Sequence, residues 1–246
     1  MNQNSKIFFW SLTAALGGFL FGFDTAVISG VEQTLQKLWH LSVFQHGITV
    51  SIALIGTVLG SLIGGIPTEK YGRKVTLYMV AIAYLMSAIG TAYAVDWSVF
   101  LIFRFLGGLG VGVSSVVAPM YISEIAPPAE RGRLVAMFQF NIVFGILMAY
   151  LSNYLLGNIG DNAWRWMLGV QAIPSVLFLG TILMIPESPR WLILKKGLVD
   201  AARKTLNIID AATAEQVIKI FKQIPTHMHQ AVLLIYFKKS IKRPSH

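Results

Sequence analysis

The sequence predicts an all-α membrane protein: a six-transmembrane-helix bundle with a cytoplasmic helical appendix. Three observations carry that expectation. The first is composition. Of 246 residues, 55% are hydrophobic and only 13% charged, with a mean hydropathy of +0.64. A soluble domain averages about 25% charged residues, so this much apolar surface calls for lipid as its solvent. The second is segmentation. The apolar residues gather in six blocks, at about 7–30, 46–66, 75–95, 98–121, 134–157 and 166–185. A block of about 20 residues crosses a hydrocarbon core of about 30 Å as one helix. The third is the sidedness of positive charge. Lys6, then Lys70, Arg73 and Lys74, then Arg131 and Arg133, then Arg190, Lys195 and Lys196 fall on one side, with only Lys37 and Arg165 on the other. The positive-inside rule puts the first set, and both termini, in the cytoplasm. An even number of spans requires the same arrangement.

The first block is longer than the apolar core of a signal peptide and holds Asp24, which marks it as a retained span. Small residues form stripes at helical spacing: Gly18 and Gly22 in the first block, Gly56, Gly60 and Gly64 in the second, Gly108 and Gly112 in the fourth. Such stripes let helices approach closely in lipid and predict a tight bundle. The segments after the second and fourth blocks, EKYGRK at 69–74 and ERGR at 130–133, are short, basic and glycine-bearing. They suggest two related three-helix units, at about 7–95 and 98–185, a common plan in membrane carriers.

After residue 190 the pattern changes. Residues 191–224 mix charge with apolar residues at helical spacing, as short amphipathic helices outside the membrane do. Residues 225–246 form a basic tail whose apolar run, AVLLIYF at 231–237, is too short to span. The chain is expected to be truncated there.

Several function classes recede. The net charge of +9 sits in short loops between apolar blocks, where it sets topology rather than marking a nucleic-acid surface. There is no cysteine, which excludes a disulfide framework or a thiol nucleophile. His227 and His229 lack the further ligands a metal site needs. No Walker loop follows a strand, and no catalytic constellation is visible. No cofactor, metal ion, enzymatic activity or nucleic-acid partner is expected; membrane lipid is.

Two ionisable residues lie well inside the blocks. Asp24 stands about six residues from the outer end of the first, and Arg104 six or seven from the outer end of the fourth, each roughly 10 Å deep at 1.5 Å per residue. An isolated charge near mid-membrane costs about 2.5–3.5 kcal/mol on insertion scales, so matched depth and opposite sign predict an ion pair. The residues allow two readings: a pair that fixes helix packing, or a carboxylate that binds and releases a proton. Glu124 and Arg131, with Glu69, Lys70, Arg73 and Lys74, form either a charge network at the cytoplasmic end or ordinary helix-end anchors. Gln139, with Asn141 and Asn153, offers amides suited either to the hydroxyls of a sugar or to hydrogen bonds between helices.

Five strings together resemble one family. GGFLFGFDTAVISG at 17–30 resembles the first span of the sugar porters of the major facilitator superfamily, especially bacterial xylose–proton symporters. GGIPTEKYGRK at 64–74 resembles the superfamily loop motif G-x-x-x-D-R-x-G-R-K. RFLGGLGVG at 104–112 and PMYISEIAPPAERGRL at 119–134 resemble the family's fourth span, and PESPRWL at 186–192 its signature after the sixth. The resemblance covers about 7–200 and identifies the chain with the N-terminal half of a major facilitator fold, in a bacterial inner membrane. It implies proton-coupled transport of a pentose or hexose by alternating access. Asp24 would be the coupling carboxylate and Arg104 its partner. Gln139 would bind sugar hydroxyls, with Phe21 and Ile142 lining the same cavity. Glu69, Arg73, Glu124, Arg131, Glu187 and Arg190 would form a cytoplasmic latch. Glu69 and Lys70 replace the motif's aspartate and arginine, keeping charge while shifting geometry. The family's second six spans are not in this sequence, and the tail from about 225 departs from the family. The chain is therefore expected either to need a separate C-terminal half as partner or to be a truncated, non-transporting product.

Overall fold

A computed structural model describes residues 3–211 and 213–223; the tail at 225–246, with His227 and His229, lies outside the described residues. The chain divides into two units, Met1–Ser188 and Pro189–His246.

The first unit is helical throughout its described length apart from short turns. It comprises α1 (Gln3–Val27), α2 (Glu32–Leu38), α3 (Val43–Ile63), α4 (Gly65–Tyr71), α5 (Arg73–Ala92), α6 (Trp97–Ile125), α7 (Arg131–Leu156), α8 (Ala163–Gly169) and α9 (Ala172–Met184). Among the described residues, six segments are long and apolar enough to cross a membrane: Gln3–Gly30, Val43–Ile63, Arg73–Ala92, Trp97–Ile125, Arg131–Leu156 and Ala163–Met184. The six expected spans are all present, each starting one to four residues earlier than the apolar pattern suggested. Apolar blocks mark where lipid begins, whereas helices run on into the headgroup region.

Two spans are interrupted, and proline explains both. Pro174 cannot donate the hydrogen bond that Val170 would receive, and the sixth span breaks there into α8 and α9. Pro67 likewise cannot donate to the Ile63 carbonyl, and the helix restarts at Gly65 as α4. The loop expected at 69–74 is thus mostly helix. Only Gly72, with φ of 100°, separates α4 from α5, a conformation that favours glycine. The other expected loop, 130–133, is already the start of α7.

The glycine stripes are interfaces between backbones. A Cβ on Gly22 would collide with the carbonyl of Ile142 on α7, and one on Gly145 of α7 would collide with that of Phe19 on α1. Between α3 and α6 the same holds: Gly60 abuts the Leu109 carbonyl, Gly108 that of Ala53 and Gly112 that of Thr57. α1 is the most buried span, held between α6 and α7, with α5 completing the centre; α3 and α7 are the least buried.

Several helix ends are capped by side chains, which pair backbone groups that the helix itself leaves without partners. Ser42 and Gln45 form a capping box on α3, and Asp96 Oδ1 accepts from Val99 N at 2.9 Å on α6. Arg131 Nε donates to Ser123 O at 2.8 Å and Lys74 Nζ to Leu183 O at 3.0 Å, placing cations on the C-terminal carbonyls of α6 and α9.

The second unit contains α10 (Pro189–Trp191), a π-type turn at Leu192–Lys196, α11 (Val199–Asp210) and α12 (Ala214–Gln223). Ile193, Ala202, Leu206, Ala214 and Ile218 form its small core. Arg203 joins α11 to α12, bonding Asp200 at 2.7 Å and Glu215 at 2.6 Å. The amphipathic helices expected over 191–224 are therefore present across the described part of that range.

Candidate functional site

α1 ends in a 3-10 turn, Ile28–Gly30, so its last carbonyls lose their ordinary helical donors. Each of three finds a side chain. Val27 O accepts from Asn153 Nδ2 at 3.1 Å, Ala26 O from Ser29 Oγ at 2.8 Å, and Asp24 O from Arg104 Nη2 at 3.1 Å. The same guanidinium reaches the side chain: Arg104 Nη1 lies 3.0 Å from Asp24 Oδ1. Both residues are almost wholly buried, Asp24 at 1% exposure and Arg104 at 2%. Arg104 Nε is buried with no hydrogen-bond partner. One arginine thus grips both the carboxylate and the main chain of one residue. If the carboxylate loses its charge, the main-chain bond still tethers the arginine.

The pair does not stand alone. Ser87 on α5 is buried beside it, and so is Tyr84, one turn away. Tyr84 Oη lies 3.5 Å from Gly17 O, where Ser114 of α6 also packs. These hydroxyls were not legible in the sequence, because a serine or tyrosine in a span carries no local signal of what it faces.

A second cluster forms at the end of the bundle where α4 meets α5. Arg73, 3% exposed, makes a fork on Glu124 of α6, with Nε to Oε2 at 2.9 Å and Nη2 to Oε1 at 3.0 Å. It also bonds Glu69 Oε1 at 3.0 Å and Thr68 O at 3.2 Å. Glu187 caps α5: its carboxylate accepts from Arg73 N at 2.9 Å and from Lys74 N at 3.1 and 3.2 Å. Burial pushes the Glu187 carboxyl above the usual carboxylate range, against the pull of the Ser188, Lys74 and Arg73 amides and of the Arg73 charge. Ser188 Oγ closes the cluster on Glu124 Oε2 at 2.5 Å, and Tyr121 Oη donates to Pro186 O at 2.9 Å. The structure therefore brings together Glu69, Arg73, Glu124 and Glu187. Arg131 binds the α6 terminus beside them, and Arg190 is half-buried in the second unit. Thr68 and Ser188 are participants that charge counting could not find.

Phe21 lies on α1, and Gln139 and Ile142 lie on α7, where the Ile142 carbonyl meets Gly22 of α1. Phe21 and Ile142 are half-buried. Gln139 is exposed and has no hydrogen-bond partner among the described residues. The interhelical role is taken by Asn153, while Asn141 bonds Met137 O of its own helix at 2.8 Å. Among the described residues, no group of His, Cys, Asp and Glu is placed to hold a metal ion.

The family described as "Sugar (and other) transporter" matches residues 10–243, which corrects the expectation that the tail from about 225 departs from the family. The D-xylose-proton symporter of Escherichia coli is 37% identical over 258 residues, covering 92% of this chain and 52% of that protein. The arabinose-proton symporter of Bacillus subtilis is 41% identical over 209 residues, covering 82% and 45% respectively. A solved structure of the major facilitator proton:xylose symporter XylE, bound to 6-bromo-6-deoxy-D-glucose, superposes with a TM-score of 0.88 at 34% identity. That match covers 96% of this chain and 57% of the other. The chain spans about half the length of the curated relatives it matches.

Proposed function

Since the chain belongs to the sugar (and other) transporter family, with the fold of the N-terminal half of a major facilitator, we propose that it supplies that half of a proton-coupled sugar symporter. The family is one of transporters, and the chain is a multi-pass membrane protein. The observation that carries the proposal is the buried Asp24–Arg104 pair at 3.0 Å. Removing both charges from water is costly, and a pair retained deep in a bundle whose relatives couple sugar to protons is best explained by a need for a titrating carboxylate.

In this reading the sugar, a pentose or hexose, lies between this half and a C-terminal half, against Gln139, Phe21 and Ile142 on the face that α1 and α7 present. The amide of Gln139 bonds its hydroxyls. Protonation of Asp24 weakens its hold on Arg104, and release of the proton restores it, so the two states of the pair accompany the two orientations of the bundle. Glu69, Arg73, Glu124, Arg131 and Glu187 form the latch at the cytoplasmic end, which holds the bundle in its outward-facing orientation. Both termini lie in the cytoplasm of a bacterial inner membrane, as the distribution of Lys and Arg supports.

The test is uptake into proteoliposomes of this chain combined with a C-terminal half, across a panel of sugars, with and without a pH gradient. Concentrative uptake of one sugar only when the gradient is imposed is the expected result. Equal uptake under both conditions would leave a facilitator without proton coupling.

A further inference from the structure

Asp24 and Arg104 come from α1 and α6, yet a third helix reaches the same place. α5 brings Ser87, 1% exposed, to the side of the pair. Gly107 on α6, three residues from Arg104, shows how close that approach is. A Cβ at Gly107 would collide with Ser87 Oγ and would lie 3.5 Å from Asp24 Oδ1. The serine hydroxyl and the carboxylate thus flank the space that only a glycine leaves open.

A carboxyl that alternates between charged and neutral forms needs two kinds of neighbour. The ionised form only accepts hydrogen bonds, whereas the protonated form must also donate one. Arg104 can donate to either form but cannot receive the hydrogen bond that the protonated form donates, because a guanidinium has no acceptor. A hydroxyl both donates and accepts, so it suits either. Besides Arg104, the titratable group facing Asp24 among the described residues is Tyr84 on α5, whose Oη lies 3.5 Å from Gly17 O, two turns along α1. α7 and α9 bring no charged side chain to the pair among the described residues.

We propose that Ser87 is a positioning residue for proton uptake, and that Gly107 keeps the space between Ser87 and Asp24 open. Resting on the reading of Asp24 as the coupling carboxylate, it gives Ser87 a role in each state. Its hydroxyl donates to the ionised carboxylate and, after rotating, accepts from the carboxylic acid. The transferred proton comes from water and ends on Asp24; Ser87 keeps its own. Arg104 bonds only one oxygen of the ionised carboxylate, and a hydrogen bond to a charged group is the stronger kind, so losing the hydroxyl harms the ionised form more.

The experiment follows the carboxyl carbon of Asp24 by NMR in the 246-residue chain, labelled at aspartate and held in lipid nanodiscs. The resonance is assigned by its loss in Asp24→Asn. Ser87→Ala should raise the pH midpoint of that resonance by about half to one unit, the worth of one hydrogen bond to the ionised form. Ser87→Thr, which keeps the hydroxyl, should retain the wild-type midpoint. Gly107→Ala should raise it like the alanine variant at 87. If Ser87→Ala does not fold, Ser87→Cys, close in volume but a weak hydrogen-bonding group, should give the same upward shift. A midpoint in Ser87→Ala within about 0.2 unit of wild type or below it, or one in Ser87→Thr raised as far as in Ser87→Ala, overturns the proposal. A wild-type resonance that does not move between about pH 4 and 10 overturns the coupling role of Asp24 itself, and this proposal with it.

Discussion

Arg73 holds Glu124 through two parallel hydrogen bonds, at 2.9 and 3.0 Å, joining the start of α5 to the end of α6 with both side chains almost out of water. The planar fork of a guanidinium matches a carboxylate in a way an ammonium cannot. Arg73→Ala would strand a buried anion and should cost about 3–5 kcal/mol of stability. Arg73→Lys should recover only part of that loss. The double variant Arg73→Ala/Glu124→Gln should be more stable than Arg73→Ala alone. Thermal unfolding in detergent measures all three, and additive losses in the double variant would refute the pairing.

Asp24→Asn preserves size and removes the titrating charge. Combined with a C-terminal half, it should abolish sugar accumulation driven by a pH gradient while sparing exchange between equal pools. The quantity to measure is the ratio of concentrative uptake to exchange per folded molecule. A purely structural pair predicts that both fall together; an unchanged ratio would falsify coupling through this residue.

Gln139 is exposed on the bundle and bonds nothing within it. Gln139→Ala should therefore leave folding of this half almost untouched while weakening sugar binding in the completed transporter by about 1–3 kcal/mol. Sugar affinity from equilibrium binding, beside an unfolding curve for the same variant, separates the two effects.

Glu187 binds its proton more tightly in the folded chain than in the unfolded one, because burial opposes its charge. Its contribution to stability is therefore fullest below the ordinary carboxylate value of about 4.3 and declines as pH rises through its raised folded value. Glu187→Gln cannot titrate, so the stability difference between wild type and variant should shift against wild type across that interval. Melting curves from about pH 4 to 7 measure it; a difference that grows in favour of wild type with rising pH contradicts the assigned direction.

Much of this was legible in the residues. Six apolar blocks become six spans, because lipid leaves the backbone few alternatives to a helix. Asp24 and Arg104 are found together because their matched depth left each little else to pair with. Glu69, Arg73, Glu124 and Glu187 cluster as the motifs implied. Other features escaped for physical reasons. The breaks at Pro67 and Pro174 fall within apolar runs, where a hydropathy reading does not register them. Ser87, Thr68 and Ser188 became visible only once the helices were packed, since a lone hydroxyl in a span fits any face.

The mutual contact of Gly22 and Gly145 bears on how motion is shared. Helix backbones that meet carbonyl to Cα on both sides cannot slide by a fraction of a turn without collision. α1 and α7 therefore travel as one plank. Asp24 stands on α1 and Gln139 on α7, so the separation between the proposed proton-binding and sugar-binding groups is fixed in either orientation of the bundle. On the proposed reading, communication between proton and sugar cannot then arise from changing that distance. It has to pass through what moves against the plank: the grip of Arg104 from α6, or the opposing half.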